Sequence, residues 1–210
     1  MSIDLQSDRF AVAVAPQTDY SEPAWRVALL FPLQGAWSDE DYLALDTNRL
    51  VELDAGRIEV LAMPSDRHQA IVTLLLVVFA AYAQHSGGAV RTAPLPLRLS
   101  GRHYREPDIL FLHAGADPRR SHTHWTGADL VVEVVSPDDP DRDLVIKRLE
   151  YAQAGIPEYW IVNPLAQEVL VLRLSGAEYV EHGRYGRGQT ALAATLPDLQ
   201  VAVDAVLDAP

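Results

Sequence analysis

The sequence predicts an α/β domain whose core runs helix, three strands, helix, strand around a mixed central sheet, with additional hairpins. Three observations predict it. An apolar run from Ala70 to Ala83, interrupted by one threonine, lies between Ser65 and Gly87-Gly88, as a capped core helix should. Two further runs, 108–112 and 130–135, read as strands buried in the sheet. A second helix signal then separates the last of these from another strand, Glu158–Val162.

Along the chain, residues 1–35 read as an extended N-terminal arm. It carries Pro16, Pro23 and Pro32 among Phe10, Val12, Val14, Trp25, Val27, Leu29, Leu30 and Phe31, material for an interface or for covering a sheet edge. The folded domain spans residues 36–207. Ser38 to Leu45 reads as a short helix, and Leu50 to Val60 as a hairpin turning at Asp54-Ala55-Gly56. The long helix runs from Ser65 to His85, and strands are expected near Ala89–Leu99, Asp108–Leu112 and Leu130–Val135. The turn Ser136-Pro137-Asp138-Asp139-Pro140 opens the second helix, with Asp139 as N-cap and Pro140 at the first helical position; Gly155 and Pro157 stop it. Strands Glu158–Val162 and Val169–Leu174 follow, and 176–207 reads as short strands with glycine-rich turns. No repeat or composition break marks a second domain.

Acids stand where the pattern calls for apolar residues. Glu133 interrupts the β-branched run Leu130-Val131-Val132-Glu133-Val134-Val135, and Asp108 heads the strand Ile109-Leu110-Phe111-Leu112. A carboxylate in such a place must neutralise, pair or bind a metal, because an unpaired buried charge is costly. Lys147, on the second turn of the helix after Glu133, returns along the sheet that holds both acids. Two acids and a lysine form a set suited to metal-dependent phosphodiester cleavage: the acids hold a hard cation, and the lysine orients water or neutralises developing charge. Ordinary structural readings stand beside these. Asp143 and Lys147 have the spacing of an exposed i,i+4 helix pair, Glu133 that of a buried ion pair, and Asp108 after Pro107 that of a turn former. Glu52, alternating with apolar neighbours in its hairpin, reads as part of a solvated strand face. His68 and Gln69 open the long helix, facing either the site or solvent. His122 and His124 have no third ligand nearby, Ser136 lacks a nucleophile elbow, and Gly186-Arg187-Gly188 is too short for a phosphate loop.

Several separated motifs together resemble the Uma-type restriction endonuclease family of the PD-(D/E)XK nuclease superfamily. They are Glu133-Val134-Val135-Ser136-Pro137, then Asp143 and Lys147, then Tyr151-Ala152-Gln153-Ala154-Gly155-Ile156-Pro157-Glu158-Tyr159-Trp160-Ile161-Val162. Upstream, the Ser38 to Leu45 helix, Glu52-Leu53-Asp54-Ala55-Gly56, His68-Gln69 and Pro107-Asp108 fit it in the same order. The resemblance runs from about Ala36 to Leu207. It implies a restriction-endonuclease-like core, the catalytic set Asp108, Glu133 and Lys147, and a metal held by Asp108 and Glu133. It also raises Glu52, with His68, Gln69 and Asp143, to possible supporting residues. One departure is plain: the superfamily lysine sits two residues after the second acid, where this chain has Val135, so Lys147 must serve from the helix.

Composition bounds the reading. At 210 residues and 49% hydrophobic, the chain suffices for one sizeable core. The Ala70 to Ala83 run falls short of the roughly 20 residues that cross a bilayer, and no secretory signal opens the chain, so no membrane partner is expected. Zero cysteines exclude disulfides and thiolate metal sites and suit a reducing cytoplasm. The net charge of −12 argues against strong duplex binding, which draws its affinity from phosphate neutralisation. The expected protein is therefore a Mg²⁺- or Mn²⁺-dependent endonuclease with weak intrinsic affinity for DNA, working as a homodimer. The alternative is a weak or inactive nuclease-fold module that oligomerises or binds a partner. A metal-dependent hydrolase of a small phosphorylated molecule would also accommodate the charge.

Overall fold

The computed structural model describes residues 31–47 and 49–210. Apart from its last five residues, 31–35, the predicted N-terminal arm lies outside the described residues. The compact unit Gln34–Pro210 holds every element below.

Helix α1 (Asp39–Leu43) begins at a reciprocal cap in which Ser38 accepts from the Asp41 N–H and Asp41 accepts from the Ser38 N–H. Strands β1 (Val51–Asp54) and β2 (Arg57–Val60) form the predicted hairpin. Its two loop residues, Ala55 and Gly56, have φ of 47° and 79°, the sign pattern that suits the twist of a tight hairpin. Helix α2 (Asp66–Ser86) starts at the Ser65 cap and ends at Gly87, whose φ of 79° is left-handed. It is not buried all round. Ile71, Val72, Leu75, Phe79 and Ala83 pack inward, while Val77 on the outer side is 64% exposed. At 21 residues with mean hydropathy 1.4, the helix is long and apolar enough to span a bilayer by length and composition, which the shorter apolar run did not suggest.

The segment expected as one strand from Ala89 to Leu99 is two, in different sheets: β3 (Ala89–Thr92) and β4 (Leu97–Ser100). Pro94 and Pro96 carry no N–H and end the ladder between them. A short strand that was not expected, β5 (His103–Arg105), pairs with β4 and β1, so the smaller sheet has the order β2-β1-β5-β4. Strands β6 (Ile109–Leu112), β7 (Leu130–Val134), β8 (Glu158–Asn163), β9 (Glu168–Ser175) and β10 (Glu178–Gly186) join β3 in the main sheet, ordered β10-β9-β8-β7-β6-β3. Only β7 and β8 are parallel, which makes the sheet mixed, as predicted.

Between β7 and β8 the chain turns helical at Pro140, passes through a π-helical turn, Arg142–Ile146, and continues as helix α3 (Lys147–Gln153). Two apolar layers cover the main sheet. One joins α2 to Val132, Val134 and Trp160 and to the C-terminal elements β11 (Thr190–Leu192), β12 (Gln200–Ala202) and α4 (Val203–Leu207). The other joins α3, through Tyr151 and Ala152, to Val131, Val135, Tyr159 and Ile161. Because side chains alternate along a strand, Glu133 belongs to the same face as Val131 and Val135 and points at the α3 layer.

Candidate active site

Ladder register brings the two strand acids together. Ile109 pairs with Val132 in the antiparallel β6–β7 ladder, so one step further Asp108 stands opposite Glu133. Residues opposed in this way share a face, with Cβ atoms about 4.5–5.5 Å apart. Asp108 is fixed at both oxygens: Oδ2 accepts from the Val134 N–H at 2.7 Å, and Oδ1 lies 2.9 Å from His68 Nε2. Glu133 is fixed at one. Its Oε1 accepts from the Tyr151 hydroxyl at 2.5 Å and lies 2.9 Å from Lys147 Nζ, while Oε2 accepts no hydrogen bond from a described residue.

Lys147 reaches Glu133 because α3 lies on the face into which Glu133 projects. Its ammonium also lies 3.1 Å from Asp143 Oδ1 and 3.9 Å from Glu52 Oε1. Asp143 stands on the π-helical turn just before α3, and its carbonyl accepts from the Tyr159 hydroxyl at 2.9 Å. The pair that sequence spacing allowed as an exposed helix pair is buried, Asp143 at 5% exposure and Lys147 at 5%.

Electrostatics follow from this burial. Desolvation pushes the Glu133 carboxyl up to about 8, with Asp143 and Asp108 adding to the rise and Lys147 opposing it. Burial alone would lower Lys147, but the Glu133, Glu52 and Asp143 carboxylates outweigh it and hold the ammonium charged. These two tendencies conflict, since a neutral Glu133 could not hold Lys147. The 2.9 Å contact favours the charged pair, with the proton remaining on Lys147. His68 is also raised: burial opposes its charge, and the hydrogen bond and charge of Asp108 prevail.

Glu52 corrects the reading of a solvated strand. It is fully buried, because the smaller sheet packs its β1 against the helical turn that carries Arg142. Arg142 contacts it directly, Arg105 Nη1 lies 3.3 Å away, and the Glu106 N–H donates to its Oε1 at 3.1 Å. Burial would raise Glu52, but Lys147, Arg105 and Arg142 together lower it. Glu52 is thus tied to Lys147 through a shared cationic network. His68 contacts Asp108 and is not a solvent-facing first-turn residue. Gln69 is exposed and lines the same cleft.

Sequence reasoning missed three residues here. Glu106 lies 9% exposed in the cleft wall, accepts from the Val51 N–H at 3.2 Å, and is pushed up to about 8 by burial and by Glu52. Arg105 forks onto Glu150 at 2.7 and 2.5 Å and bridges it to Glu52. Tyr151 was legible as a site residue, since it follows Lys147 by four positions and shares its helix face. Glu106 and Arg105 gave no comparable signal.

The cleft holds ≈ 200 Å³ and is lined by Asp108, Glu133, Asp143, Lys147, His68 and Gln69 among others. Its donor set is oxygen-rich and contains no thiolate, which suits a hard divalent cation. Among the described residues no three His, Asp or Glu side chains gather at ligand spacing. Two carboxylates with one unengaged oxygen on Glu133 therefore fit a cation that keeps several waters, as Mg²⁺ does, and not a closed protein cage.

Mixed sheet, covering helices and this buried acid–lysine centre together define a restriction-endonuclease-like α/β domain. Residues 39–204 match the sequence profile of Uma2, described as "Putative restriction endonuclease", and the chain belongs to that family. Among solved structures, it is similar to a "putative nuclease belonging to DUF820" from Anabaena variabilis, with 19% identity and a TM-score of 0.67. The match covers 84% of this chain and 98% of that one, and at this identity it shows the fold alone. No curated protein matches the chain.

Proposed function

We propose that this protein is a Mg²⁺- or Mn²⁺-dependent endonuclease that hydrolyses DNA phosphodiester bonds. The observation that supports it is the cross-strand pair Asp108 and Glu133 with Lys147 Nζ 2.9 Å from the latter, all in one cleft. Asp108 and Glu133 would hold the cation, which when bound polarises the phosphoryl group and makes its water more acidic. The protein contributes fixed geometry. Val134 N–H and His68 keep the Asp108 carboxylate from turning, and Tyr151 does the same for Glu133. Lys147, kept charged by three carboxylates, supplies positive charge where negative charge builds on the phosphoryl oxygens, or orients the attacking water. Asp143 and Glu52 hold that ammonium in place, and Gln69 offers an amide at the rim. Two cuts in a duplex require two such centres, so we propose that the chain works as a homodimer.

Cleavage of plasmid, single-stranded DNA and RNA, with Mg²⁺, Mn²⁺ or chelator, tests the proposal. Metal-dependent cleavage should disappear in Glu133→Gln and Asp108→Asn and fall on the order of 100-fold in Lys147→Ala. A second reading, a nuclease-fold binding module without turnover, draws support from the net charge of −12. Binding of nucleic acid or a second copy with no cleavage in any metal would establish that reading and refute the enzyme.

A further inference from the structure

The cleft is poorly equipped to grip a polyanion by charge. Its lining carries six acids, Glu106, Asp108, Glu133, Asp138, Asp139 and Asp143, against the three bases Arg142, Lys147 and His68. All three bases are already engaged, Arg142 by Glu52 and Glu59, Lys147 by Glu133 and Asp143, and His68 by Asp108. Phosphate neutralisation, the usual source of nucleic-acid affinity, is therefore weak here even with one divalent cation bound.

A second cavity of ≈ 270 Å³ opens directly beside this cleft. The two share the walls Ala62, Pro64, His68, Val134, Ser136 and Asp138, so a chain lying over the acids passes its mouth. Its other walls are Met63 before α2, the Ser65 cap and Arg67 on its first turn, Val135 and Pro137 after β7, and Pro164 with Leu165 after β8. Large apolar side chains stand unusually open at this rim. Met63 is 73% exposed and Leu165 58%, and Val60 on the adjoining cleft wall is 63% exposed. Polar groups also reach the cavity, with the Ser136 hydroxyl and Asp138 carboxylate available to the edge of a ring. Apolar walls with a few polar groups are the usual make-up of a small-molecule site, and this volume lies just below the roughly 300–1,000 Å³ of sites for drug-sized ligands.

We infer that this cavity receives one unpaired nucleobase, that of a nucleotide flanking the scissile phosphate, and that the preferred substrate is single-stranded nucleic acid. The inference rests on the nuclease reading above and deepens it. A base inside a duplex is stacked on both faces and paired along its edge, so it cannot enter without being extruded. An unpaired base pays little to enter, and its ring faces cover Met63 and Leu165. Base contact then supplies the affinity that the acidic cleft does not draw from phosphate, as base-stacking sites on single-strand binders do.

The test uses full-length protein and the double variant Met63→Ser/Leu165→Asp, both at exposed positions outside the acid–lysine set. Substrates are a short single strand, its duplex, and single strands in which each base in turn is replaced by an abasic linker. The wild type should cut the single strand faster than the duplex, and one abasic position should slow cleavage by about 10-fold, the scale of a single base contact. The double variant should slow the intact strand by a similar factor while cutting that abasic strand at the wild-type rate. Cleavage that depends on Glu133 but is equal on duplex and single strand, or that falls equally on intact and abasic strands in the variant, overturns the base pocket and leaves the nuclease reading standing. Absence of any cleavage sensitive to Glu133→Gln overturns both, and anisotropy of the labelled strand in Ca²⁺ separates that result from loss of binding.

Discussion

Replacing Lys147 with methionine tests the buried centre through stability as well as activity. Methionine keeps most of the volume, so the cavity contribution is small and the change is chiefly electrostatic. In the wild type, Glu133 and Asp143 are 3% and 5% exposed, and among the described residues Lys147 is the cation in contact with each. Glu52 keeps Arg105 and Arg142, so two carboxylates, not three, are orphaned by the change. Removing one partner of a buried ion pair costs about 3–5 kcal/mol. For a chain of 150–250 residues, at roughly 2–4 °C per kcal/mol, that is a fall in Tm of about 6–20 °C. Lys147 opposes the rise that burial imposes on the Glu133 carboxyl, so its loss would let Glu133 take up a proton and hold the destabilisation toward the lower end near neutral pH. The double variant Lys147→Met/Glu133→Gln should recover part of the loss, with a coupling of about 1–3 kcal/mol, because it removes one stranded charge. Urea unfolding at pH 7.5 with constant m-value measures all four corners of the cycle. A single-variant loss under about 1 kcal/mol, the range of an exposed pair, would refute the reasoning.

Tyr151→Phe deletes the 2.5 Å hydrogen bond to Glu133 and should cost about 1 kcal/mol in urea unfolding while weakening Mg²⁺ binding measured by calorimetry; unchanged metal affinity would reduce Tyr151 to packing. Glu158 is fully buried and accepts from Trp160 Nε1 at 2.6 Å, Ala194 N–H at 2.8 Å and Thr195 N–H at 2.6 Å. Glu158→Gln turns an amide donor toward these donors and should destabilise by about 1.5–3 kcal/mol, with no change in KM for any substrate, since Glu158 does not line the cleft. At Gly56 an added Cβ would sit 2.7 Å from the Gly35 carbonyl oxygen, whereas at Gly176, also at positive φ, it would meet nothing within 4 Å. Gly56→Ala should therefore lower Tm clearly more than Gly176→Ala, whose cost is the backbone strain of about 1 kcal/mol alone; equal losses would contradict the close approach. Light scattering should show a dimer of the full chain, and a monomer at high concentration would remove the proposed oligomer.

How much of this was legible depends on whether a feature is set locally. The Ser65 cap, the helical entry at Pro140 and the Ala55-Gly56 turn are decided by side chains within a few residues, and they appear where the sequence places them. Glu133 was legible by contrast, because a single acid in a β-branched run has few affordable environments. The burial of Glu52 was not, although its local pattern is similar, and only the family resemblance raised it to a site residue. Val51, Glu52 and Leu53 are 4%, 0% and 0% exposed, so both faces of β1 are covered and alternation says nothing of solvent. What makes its burial tolerable is Arg105, 53 residues away, and Arg142, 90 away. The split of Ala89–Leu99 into two sheets has the same character: the prolines announce a break, but only the partners β6 and β5 decide where each half goes.

The displaced lysine shows the same point in chemical terms. Two residues after Glu133, a lysine would leave the strand on the Glu133 face, since residues i and i+2 share a face. In this chain that position is Val135, 3% exposed and packed with Tyr151 and Ile156 in the layer under α3. An ammonium there would have to be threaded between strand and helix, at the expense of the apolar contact that docks the helix. Supplying the lysine from the helix removes the conflict. The strand stays apolar, and Lys147 comes down onto Glu133 from above at 2.9 Å. The π-helical turn Arg142–Ile146 lies immediately before it, so the helical register shifts between Asp143 and Lys147 while both remain on the side that faces the sheet. The acid–lysine contact is made by position in space, and the sequence spacing that usually marks it is free to change.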